Sequence, residues 1–586
     1  MYSIEKDGNR TENIRKGEYM KKRYPDYERR PFRDLRELVK SAADTLPDKT
    51  YLKYKGKEKG EIVELSFLEF DKYIDRIGTT LTYLGLKGKH VAVIGDTSKE
   101  WIATYLAAVN GGMVIVPLDK ELPEDEIEKF LEFAEVKAVV YSERFHDLFK
   151  RLSEKSDIEY FIKMGETDES ETDKRFLSTE KLEKRGKLLL REDYTDFLDN
   201  KIDIEDDAVI IFTSGTTGTS KGVVLSQRNI VNAVSSSARM LSFEETDEIM
   251  SVLPLHHTYE MTCGILTPIL VGATVCINDS MKYLTKNLQL FRPTAMILVP
   301  LFVTTVYKRI WDTAAKNEQT KKLKRGISLS NTLMKFNIDL RRTFFGQVTA
   351  AFGGRLSKIV CGGASLSPDY VKGFEELGIN LVQGYGITEC SPLVSVCPFH
   401  WKKYSSVGLA VHNVEVRIDK LSPTDTEGEI LVRGPNVMKG YYKAPELTSE
   451  VIDEDGWFYT GDIGYIDEDG FIYITGRKKN IIILDNGKNV FPEELEEHIY
   501  KIELVSECIV KAKENQCGET VITAQIYPNF DKARELGLED INKIKDIIKE
   551  EVQELNKKLP IFKQIRSIEI RKTEFEKTTT KKIKRI

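Results

Sequence analysis

The sequence of 586 residues lacks any uninterrupted apolar run near the ~20 residues that a bilayer-spanning helix needs. Residues 1–34 also lack the apolar core of a secretory signal, because charges of both signs run through them. Seven cysteines are scattered without a CxxC pair, which argues against a disulfide framework or a zinc site and for a reducing compartment. We therefore expect a cytoplasmic protein; peripheral contact with the inner face of a membrane is left open.

The chain also lacks a strong excess of one charge. Its 87 Lys and Arg against 93 Asp and Glu leave a net charge of −6, which gives no support to nucleic acid as the main ligand. A chain of this length is too long for one core, so two or more domains are expected. We place the first at residues 1–478 and the second at 479–586, because the composition becomes rich in Lys and Glu after Gly476.

Apolar runs alternate with helical patterns early in the chain. The runs at residues 90–95, 111–118 and 136–141 are separated by a helical pattern from Lys99 to Val109 and by a helix that Pro123 opens. Strand–helix–strand at this spacing predicts a parallel, doubly wound sheet, whose ligands bind at the carboxyl ends of the strands.

A long helical pattern from about residue 307 to 352 carries basic clusters at 321–325 and 341–342. We interpret these clusters as a solvated helical face; a membrane-docking patch is the alternative.

One ten-residue segment carries the clearest chemistry. Thr213-Ser-Gly-Thr-Thr-Gly-Thr-Ser-Lys-Gly222, here called the phosphate loop, combines three glycines, six hydroxyl side chains and one lysine. Backbone N–H groups, hydroxyls and a cation in one turn can bind a polyphosphate. The order Ser-Lys-Gly is not that of a Walker A loop, and both flanks (207–212 and 222–225) read as strands. The segment predicts an anion-binding loop between two strands rather than an ordinary surface turn.

The phosphate loop also matches the signature of the adenylate-forming enzymes, which include acyl-CoA synthetases, luciferases and peptide-synthetase adenylation domains. Six further segments match that superfamily in its own order, at residues 253–260, 362–366, 383–389, 459–464, 473–483 and 576–584. From about residue 32 to 584 the chain resembles this superfamily, and its helical insertion after Val299 and Pro300 is most like long-chain fatty acyl-CoA synthetases.

The resemblance implies a nucleotide site. Glycines on both sides of Tyr385 leave its ring open to stack on a base, Thr388 can bond a phosphate, and Glu389 offers hard oxygen to Mg²⁺. The family's ribose ligand falls on Asp462, and its contact to ribose or phosphate falls on Arg477. The implied binding set is Thr213, Ser214, Gly215, Thr216, Thr217, Gly218, Lys221, Gly363, Ala364, Gln383, Gly384, Tyr385, Gly386, Thr388, Asp462, Arg477, Lys479 and Gly487.

The resemblance also assigns moving and catalytic parts. Lys479 falls on the pivot of a mobile C-terminal domain, and Gly487 lies in the loop that lines the pantetheine channel. The catalytic lysine falls on Lys582, although Glu576 and Lys581 replace the family's Pro and Gly. The implied catalytic set is Lys582, Glu389, Thr213 and His257, with Thr213 and Glu389 as metal ligands and His257 beside the acyl pocket.

These assignments imply a fold of two parts. The first is a large N-terminal α/β body that has doubly wound parallel sheets and a β-barrel-like part, and the second is a small mobile α+β domain. The implied activity is ATP- and Mg²⁺-dependent ligation of a carboxylic acid, most like a long-chain fatty acid, to coenzyme A through acyl-AMP. Three alternatives stay open: loading of a carrier protein, a CoA ligase for medium-chain or aromatic acids, and a non-catalytic nucleotide-binding protein. A homodimer is also left open.

Overall fold

The computed structural model describes residues 24–58, 60–166, 171–213, 221–420, 422, 425–484, 489–514, 520–577 and 583–585. The chain forms two compact units. The first comprises the described residues up to Glu415 together with Arg433–Gly456 and Asp469–Phe471; the second comprises Val416–Val432, Trp457–Glu468 and the described residues from Ile472 onward.

One sheet of the first unit confirms the predicted doubly wound pattern. Its strands run, in spatial order, Gly440–Tyr441, Lys221–Ser226, Asp207–Thr213, Val114–Leu118, His90–Ile94, Val136–Tyr141, Tyr160–Lys163 and Phe176–Ser178. All neighbours are parallel except the first two pairs, which are antiparallel. The central strands are nearly continuous apolar runs because helices cover both faces of a parallel sheet.

A second sheet of the first unit is parallel in its centre and antiparallel at both ends. Its strands run Gly408–Ala410, Leu393–Val396, Asn380–Gly386, Lys358–Cys361, Ala295–Leu298, Glu248–Ser251, Thr274–Ile277, Thr50–Lys55 and Ile62–Ser66. The strand that ends in Gly386 carries the predicted base-stacking segment, so the carboxyl ends of this sheet hold part of the candidate site.

The first unit also contains helices, most of which pack on these sheets. They are Leu35–Thr45, Phe67–Tyr83, Lys99–Asn110, Glu124–Phe133, His146–Ser153, Thr179–Arg191, Gln227–Met240, Thr267–Val271, Leu284–Phe291, Pro300–Lys316, Thr320–Met334, Arg341–Phe344, Gly346–Ala351, Pro368–Glu376 and Pro445–Ser449. The residues of Tyr259–Leu266 form a π-helix, and 3₁₀ turns occupy Glu143–Phe145, Met281–Tyr283 and Thr388–Cys390. The predicted stretch at 307–352 is therefore helical but divided into several helices.

The second unit joins two smaller sheets to three helices. Antiparallel strands Glu415–Asp419, Gly428–Arg433, Phe458–Ile466 and Phe471–Arg477 form the first sheet, and Val505–Glu514, Thr520–Pro528 and Ser567–Ile570 form the second. A hairpin of Ile482–Ile483 and Asn489–Val490, the helices Pro492–Ile499, Phe530–Glu535 and Ile541–Asn556, and the 3₁₀ turns Lys478–Asn480 and Ile561–Lys563 complete it.

Residues such as Leu495, Val510 and Ile548 form the core of the C-terminal part, which confirms the α+β prediction. The expected β-barrel-like part is an open antiparallel sheet: the described strands form no closed barrel.

Candidate functional site

The two ends of the phosphate loop lie side by side. Thr213 ends one strand, Lys221 begins the next, and the two residues are antiparallel partners in register. The Thr213 hydroxyl lies 3.4 Å from the Lys221 carbonyl oxygen and donates to it. The predicted strands on both sides are confirmed. The predicted ligands Ser214, Gly215, Thr216, Thr217 and Gly218 lie outside the described residues.

Tyr441 connects the phosphate loop with the predicted metal ligand. Its hydroxyl donates to Oε1 of Glu389 at 3.1 Å, and the Lys221 ammonium lies 4.6 Å from the centroid of its ring. Burial, and then the Glu389 carboxylate, raises the pKa of Tyr441, so the phenol stays protonated and remains a donor. Sequence analysis missed Tyr441, because nothing in Gly440–Tyr441 distinguishes it from an ordinary short strand.

The placement of Tyr441 has a local cause. Ser226 caps the helix Gln227–Met240 in a reciprocal capping box with Asn229, which satisfies two donors at the helix start. The Asn229 side chain then donates to the carbonyl oxygens of Pro435 and Val437, each at 2.8 Å. This fixes the segment that leads into Tyr441 beside the strand of Lys221.

The donor chemistry at this point fits Mg²⁺. Thr213 supplies a hydroxyl and Glu389 a half-buried carboxylate, and no described residue bonds the second oxygen of that carboxylate. Hard oxygen donors are the ligands that Mg²⁺ takes, usually one or two carboxylates completed by phosphate oxygens and water. Clusters of three or more His, Cys, Asp or Glu suited to a metal do not occur in the described part of the chain.

Two glycine segments form a wall that a flat ligand can approach. A Cβ on Gly362 would lie 3.2 Å from the Tyr259 ring and 3.3 Å from the Gly384 carbonyl, and Gly363 has φ +87°, which favours glycine. A Cβ on Gly386 would meet the Pro392 carbonyl oxygen at 1.9 Å. These contacts explain why the positions carry no side chain.

The other predicted residues of this region lie at the same wall. Tyr385 is 7% exposed, and Gln383 is held by donating to the Tyr404 carbonyl oxygen at 2.8 Å. Ala364 is exposed in the turn after Lys358–Cys361, and Thr388 begins the 3₁₀ turn that contains Glu389. The structure thus brings Tyr385, Thr388 and Glu389 together at the end of one strand.

An apolar cavity of about 50 Å³ adjoins the glycine wall. Leu241, Phe243, Cys263, Ile297 and Leu393 contribute to its lining, with Tyr259 beside Gly362. These residues come from distant parts of the sequence, so no local pattern predicts them. The cavity can accept a hydrocarbon group but offers little to a charged one.

The predicted His257 lies on a turn before the π-helix and is half buried. It does not appear among the described residues that line the cavity; Tyr259, two positions later, does. Its neighbour His256 packs against it with ring centroids 4.0 Å apart. Burial, with His257 and Lys120 nearby, lowers the pKa of His256, which therefore stays neutral.

Glu260 is a second residue that sequence analysis missed. Its side chain is fully buried, and its Oε1 accepts a hydrogen bond from the Ser251 hydroxyl at 2.5 Å. Burial raises the pKa of Glu260 to about 8. This bond ties the start of the π-helix to the end of the strand Glu248–Ser251. Helices of this type often mark functional sites.

In the second unit, Asp462 and Arg477 face each other across two antiparallel strands. Arg477 Nε lies 2.6 Å from Oδ1 of Asp462, whose residue is only 3% exposed. Gly461, with φ +70°, turns the chain just before Asp462. The structure therefore brings together the two predicted ribose ligands. Lys479 follows in an exposed 3₁₀ turn, where desolvation and the cations of Arg477 and Arg585 lower its pKa.

The chain terminus folds back on itself. Lys577 and Ile583 form an antiparallel bridge, and the Lys584 amide donates to the Glu576 carbonyl oxygen at 2.7 Å. Buried carboxylates hold both ends, since Lys577 pairs with Glu507 and Arg585 with Glu496. The predicted catalytic Lys582 and the predicted Gly487 lie outside the described residues.

Comparison with known proteins identifies the family of the chain. The family described as "AMP-binding enzyme" matches residues 39–442, and "AMP-binding enzyme C-terminal domain" matches residues 479–586. Long chain acyl-CoA synthetase 7 of Arabidopsis thaliana, a peroxisomal protein, is 30% identical over 522 residues, covering 83% of this chain and 72% of its own. A chloroplastic long-chain-fatty-acid–[acyl-carrier-protein] ligase of the same plant is 27% identical over 552 residues, covering 81% and 74%.

Solved structures share the fold. ATP-bound MatB from Rhodopseudomonas palustris superposes with a TM-score of 0.71 at 22% identity, covering 94% of this chain and 97% of that one. Fold and site together define an adenylate-forming ligase, which uses ATP to activate an acid. The chain belongs to the AMP-binding enzyme family. The expected ATP, Mg²⁺ and coenzyme A are those of the adenylate-forming CoA ligases.

Proposed function

We propose that the protein joins a long-chain fatty acid to coenzyme A. In the first half-reaction a carboxylate oxygen bonds to the α-phosphorus of ATP, and the α–β phosphoanhydride bond breaks to release pyrophosphate. In the second, the thiol sulfur of coenzyme A attacks the acyl carbon, loses its proton and releases AMP. Acyl-AMP supplies the good leaving group that a free carboxylate lacks.

The apolar cavity beside the glycine wall is the observation that supports an apolar acid; its volume of about 50 Å³ admits only a small part of a long chain, so the chain length rests on the relatives. Burying each methylene of an acyl chain gains about 0.8 kcal/mol, so a cavity lined by Leu241, Phe243 and Ile297 favours aliphatic over charged acids. Both plant relatives are named as long-chain enzymes, which supports a long-chain acid here.

Each predicted residue of the first unit then has a role. Thr213 and Glu389 would hold Mg²⁺, which neutralises phosphate charge when bound. Lys221 and the phosphate loop bind the phosphates, and Tyr385 with Gly363, Ala364, Gln383, Gly384 and Gly386 holds the base. Tyr441 keeps the Glu389 carboxylate oriented through its hydrogen bond. His257 stays a proposed residue beside the acid.

The second unit supplies the remaining groups. Asp462 and Arg477 bind the ribose and its phosphate, Lys582 stabilises negative charge during adenylation, and Gly487 lines the path of coenzyme A. We propose that a C-terminal domain begins at residue 479 and pivots at Lys479 between the half-reactions. The match of the C-terminal family to residues 479–586 supports this boundary, although the compact units divide the chain differently.

Transfer to a carrier protein is the second candidate function. The chloroplastic acyl-carrier-protein ligase reported above favours it, because the match to that relative covers 81% of this chain. The two functions share the first half-reaction and differ only in the thiol that accepts the acyl group.

A two-stage assay tests the proposal. Pyrophosphate release is measured with acids from butyrate to stearate and with benzoate, and the adenylate is then offered free coenzyme A or a phosphopantetheinyl carrier protein. We expect the highest kcat/KM with long-chain acids and thioester formation with free coenzyme A. A preference for benzoate or short acids would contradict the acid specificity, and thioester only on the carrier would favour the second function.

Location and assembly also remain proposals. We propose that the protein works in the cytoplasm, supported by cysteines such as Cys276, Cys361 and Cys397 that are buried and whose thiol pKa values burial raises. Among the described helices none is both long and apolar enough to cross a membrane. A homodimer stays a prediction that analytical ultracentrifugation can check.

A further inference from the structure

Few side chains of residues 300–345, here called the basic helical segment, are fully buried. Phe302, Val306, Tyr307 and Ile310 pack against the core from one side, and Phe345 is buried. The helix Pro300–Lys316 buries only Pro300 and Val303, Thr320–Met334 buries only Ser330, and Arg341–Phe344 buries no residue. Most side chains of the segment are therefore available to a partner.

The segment exposes large apolar side chains. Of the seventeen that are exposed in the described part of the chain, six lie here, and Phe336 is 72% exposed. The six are Leu301, Leu329, Phe336, Ile338, Leu340 and Phe344. Such a concentration in so short a stretch marks an interaction surface, since single exposed apolar residues are otherwise scattered.

The same segment is strongly cationic in a chain of net charge −6. It holds ten Lys or Arg against three Asp or Glu. Arg341 pairs with Asp339 at 2.7 Å, whereas the other nine cations form no ion pair with any residue that the structure describes. The nine are Lys308, Arg309, Lys316, Lys321, Lys322, Lys324, Arg325, Lys335 and Arg342.

Basic and apolar groups share one exposed ridge. Lys322, Arg325, Leu329 and Thr332 follow the three- and four-residue spacing of a single helix face, and all four are exposed. Phe336 lies just beyond the end of that helix, followed by Ile338. A solvated helical face accounts for the cations but not for the adjoining apolar residues. Cations beside exposed Phe, Leu and Ile are the composition of helices that lie in a membrane interface.

We propose that the basic helical segment docks on an anionic phospholipid surface. The apolar residues around Phe336 and Ile338 enter the interface, while Lys322 and Arg325 contact lipid phosphates. The strand Ala295–Leu298, which leads directly into the segment, contributes Ile297 to the apolar cavity. A water-insoluble acid could therefore be taken from the lipid surface by the same part of the chain. The docking does not depend on which acid is used.

Flotation of the full chain with vesicles tests the proposal. Vesicles of phosphatidylcholine with phosphatidylglycerol should bind the protein, and vesicles of phosphatidylcholine alone should bind it far less. Replacing three cations together, Lys321→Gln, Lys322→Gln and Arg325→Gln, should weaken binding about a hundredfold. The pair Phe336→Ser and Ile338→Ser should weaken it about tenfold. High salt should release the wild type by screening the charges.

The matched control removes three exposed cations elsewhere, Lys543→Gln, Lys545→Gln and Lys549→Gln on the helix Ile541–Asn556. It should bind anionic vesicles like the wild type. Equal loss in the control would overturn the proposal, because binding would then follow net charge alone. Failure of the wild type to bind would also overturn it. If the wild type does not bind vesicles and the segment variants change oligomeric state, the segment contacts a second copy of the chain instead. Since no turnover is measured, these outcomes leave the proposed acid activation untouched.

Discussion

Tyr441 shows how a single side chain can join two parts of a site. Its hydroxyl orients the Glu389 carboxylate, and its ring lies against the Lys221 ammonium at the end of the phosphate loop. A carboxylate that must meet Mg²⁺ benefits from such a fixed neighbour, because less rotamer freedom is lost when the metal arrives.

Tyr441→Phe removes the hydroxyl and keeps the ring. We expect the KM for Mg²⁺–ATP to rise about three- to tenfold, since one hydrogen bond to a charged group is lost. Initial rates of pyrophosphate release at varied Mg²⁺ measure this. Tyr442→Phe is the matched control, because the Tyr442 hydroxyl forms no hydrogen bond with Glu389 in the described structure. Equal KM values in both variants would show that Tyr441 does not orient the metal ligand.

Glu260 belongs to the same scale, and its effect depends on pH. Burial raises its pKa from 4.5 to about 8, so the folded state keeps a proton that the unfolded state releases. The stabilisation from the protonated carboxyl is complete below pH 4.5 and is lost as pH rises through about 8.

Glu260→Gln imitates the protonated form and should remove this pH dependence. The thermal midpoint of the wild type should fall relative to the variant between pH 4.5 and about 8, with little further divergence above. Differential scanning calorimetry across this range measures the difference, with exposed Glu244→Gln as control. Parallel curves for wild type and Glu260→Gln would mean that the carboxyl is not titrating as its burial implies.

At the level of elements, the sequence predicts what is local. The runs around His90, Val114 and Val136 are strands because a parallel sheet covered on both faces requires continuous apolar residues. The flanks of the phosphate loop are strands as well, although they pair antiparallel with each other; their buried apolar runs predicted them. The π-helix Tyr259–Leu266 and the cavity walls could not be predicted, because they depend on packing between segments far apart in sequence. The roles assigned to Lys479, Gly487 and Lys582 stay predictions.

The C-terminal end of the second unit gives a prediction at this scale. Arg585 pairs with the buried Glu496 and thereby fixes the described residues that follow Lys582 in sequence. Arg585→Met should lower the rate of adenylation about tenfold but leave thioester formation from supplied acyl-AMP unchanged. The neighbouring Lys584→Met, which removes a cation without an ion pair in the described residues, serves as control. Similar loss in both half-reactions would indicate general unfolding of the second unit instead.

At the scale of the whole molecule, the proposed half-reactions depend on different groups of residues. Residues 39–442 and 479–586 match separate families, and predicted nucleotide ligands occur in both compact units. A residue that serves only adenylation should therefore be separable by kinetics from those that serve both steps.

Lys582→Ala tests this division. We expect adenylation to fall at least about a hundredfold, since a cation that stabilises developing charge is lost, while supplied acyl-AMP still reacts with coenzyme A. Single-turnover measurements of each step provide the comparison, and Lys581→Ala is the adjacent control. Full adenylation by Lys582→Ala together with loss in Lys581→Ala would move the role to the neighbouring lysine.

Formation of acyl-AMP from an acid and ATP is the step on which all the proposed roles depend. Isotope exchange between pyrophosphate and ATP, with Mg²⁺ present and coenzyme A absent, tests it most directly. We expect exchange that requires a long-chain acid, with acyl-AMP identified by mass spectrometry. No exchange with any acid, from short aliphatic to long-chain and aromatic, would contradict it.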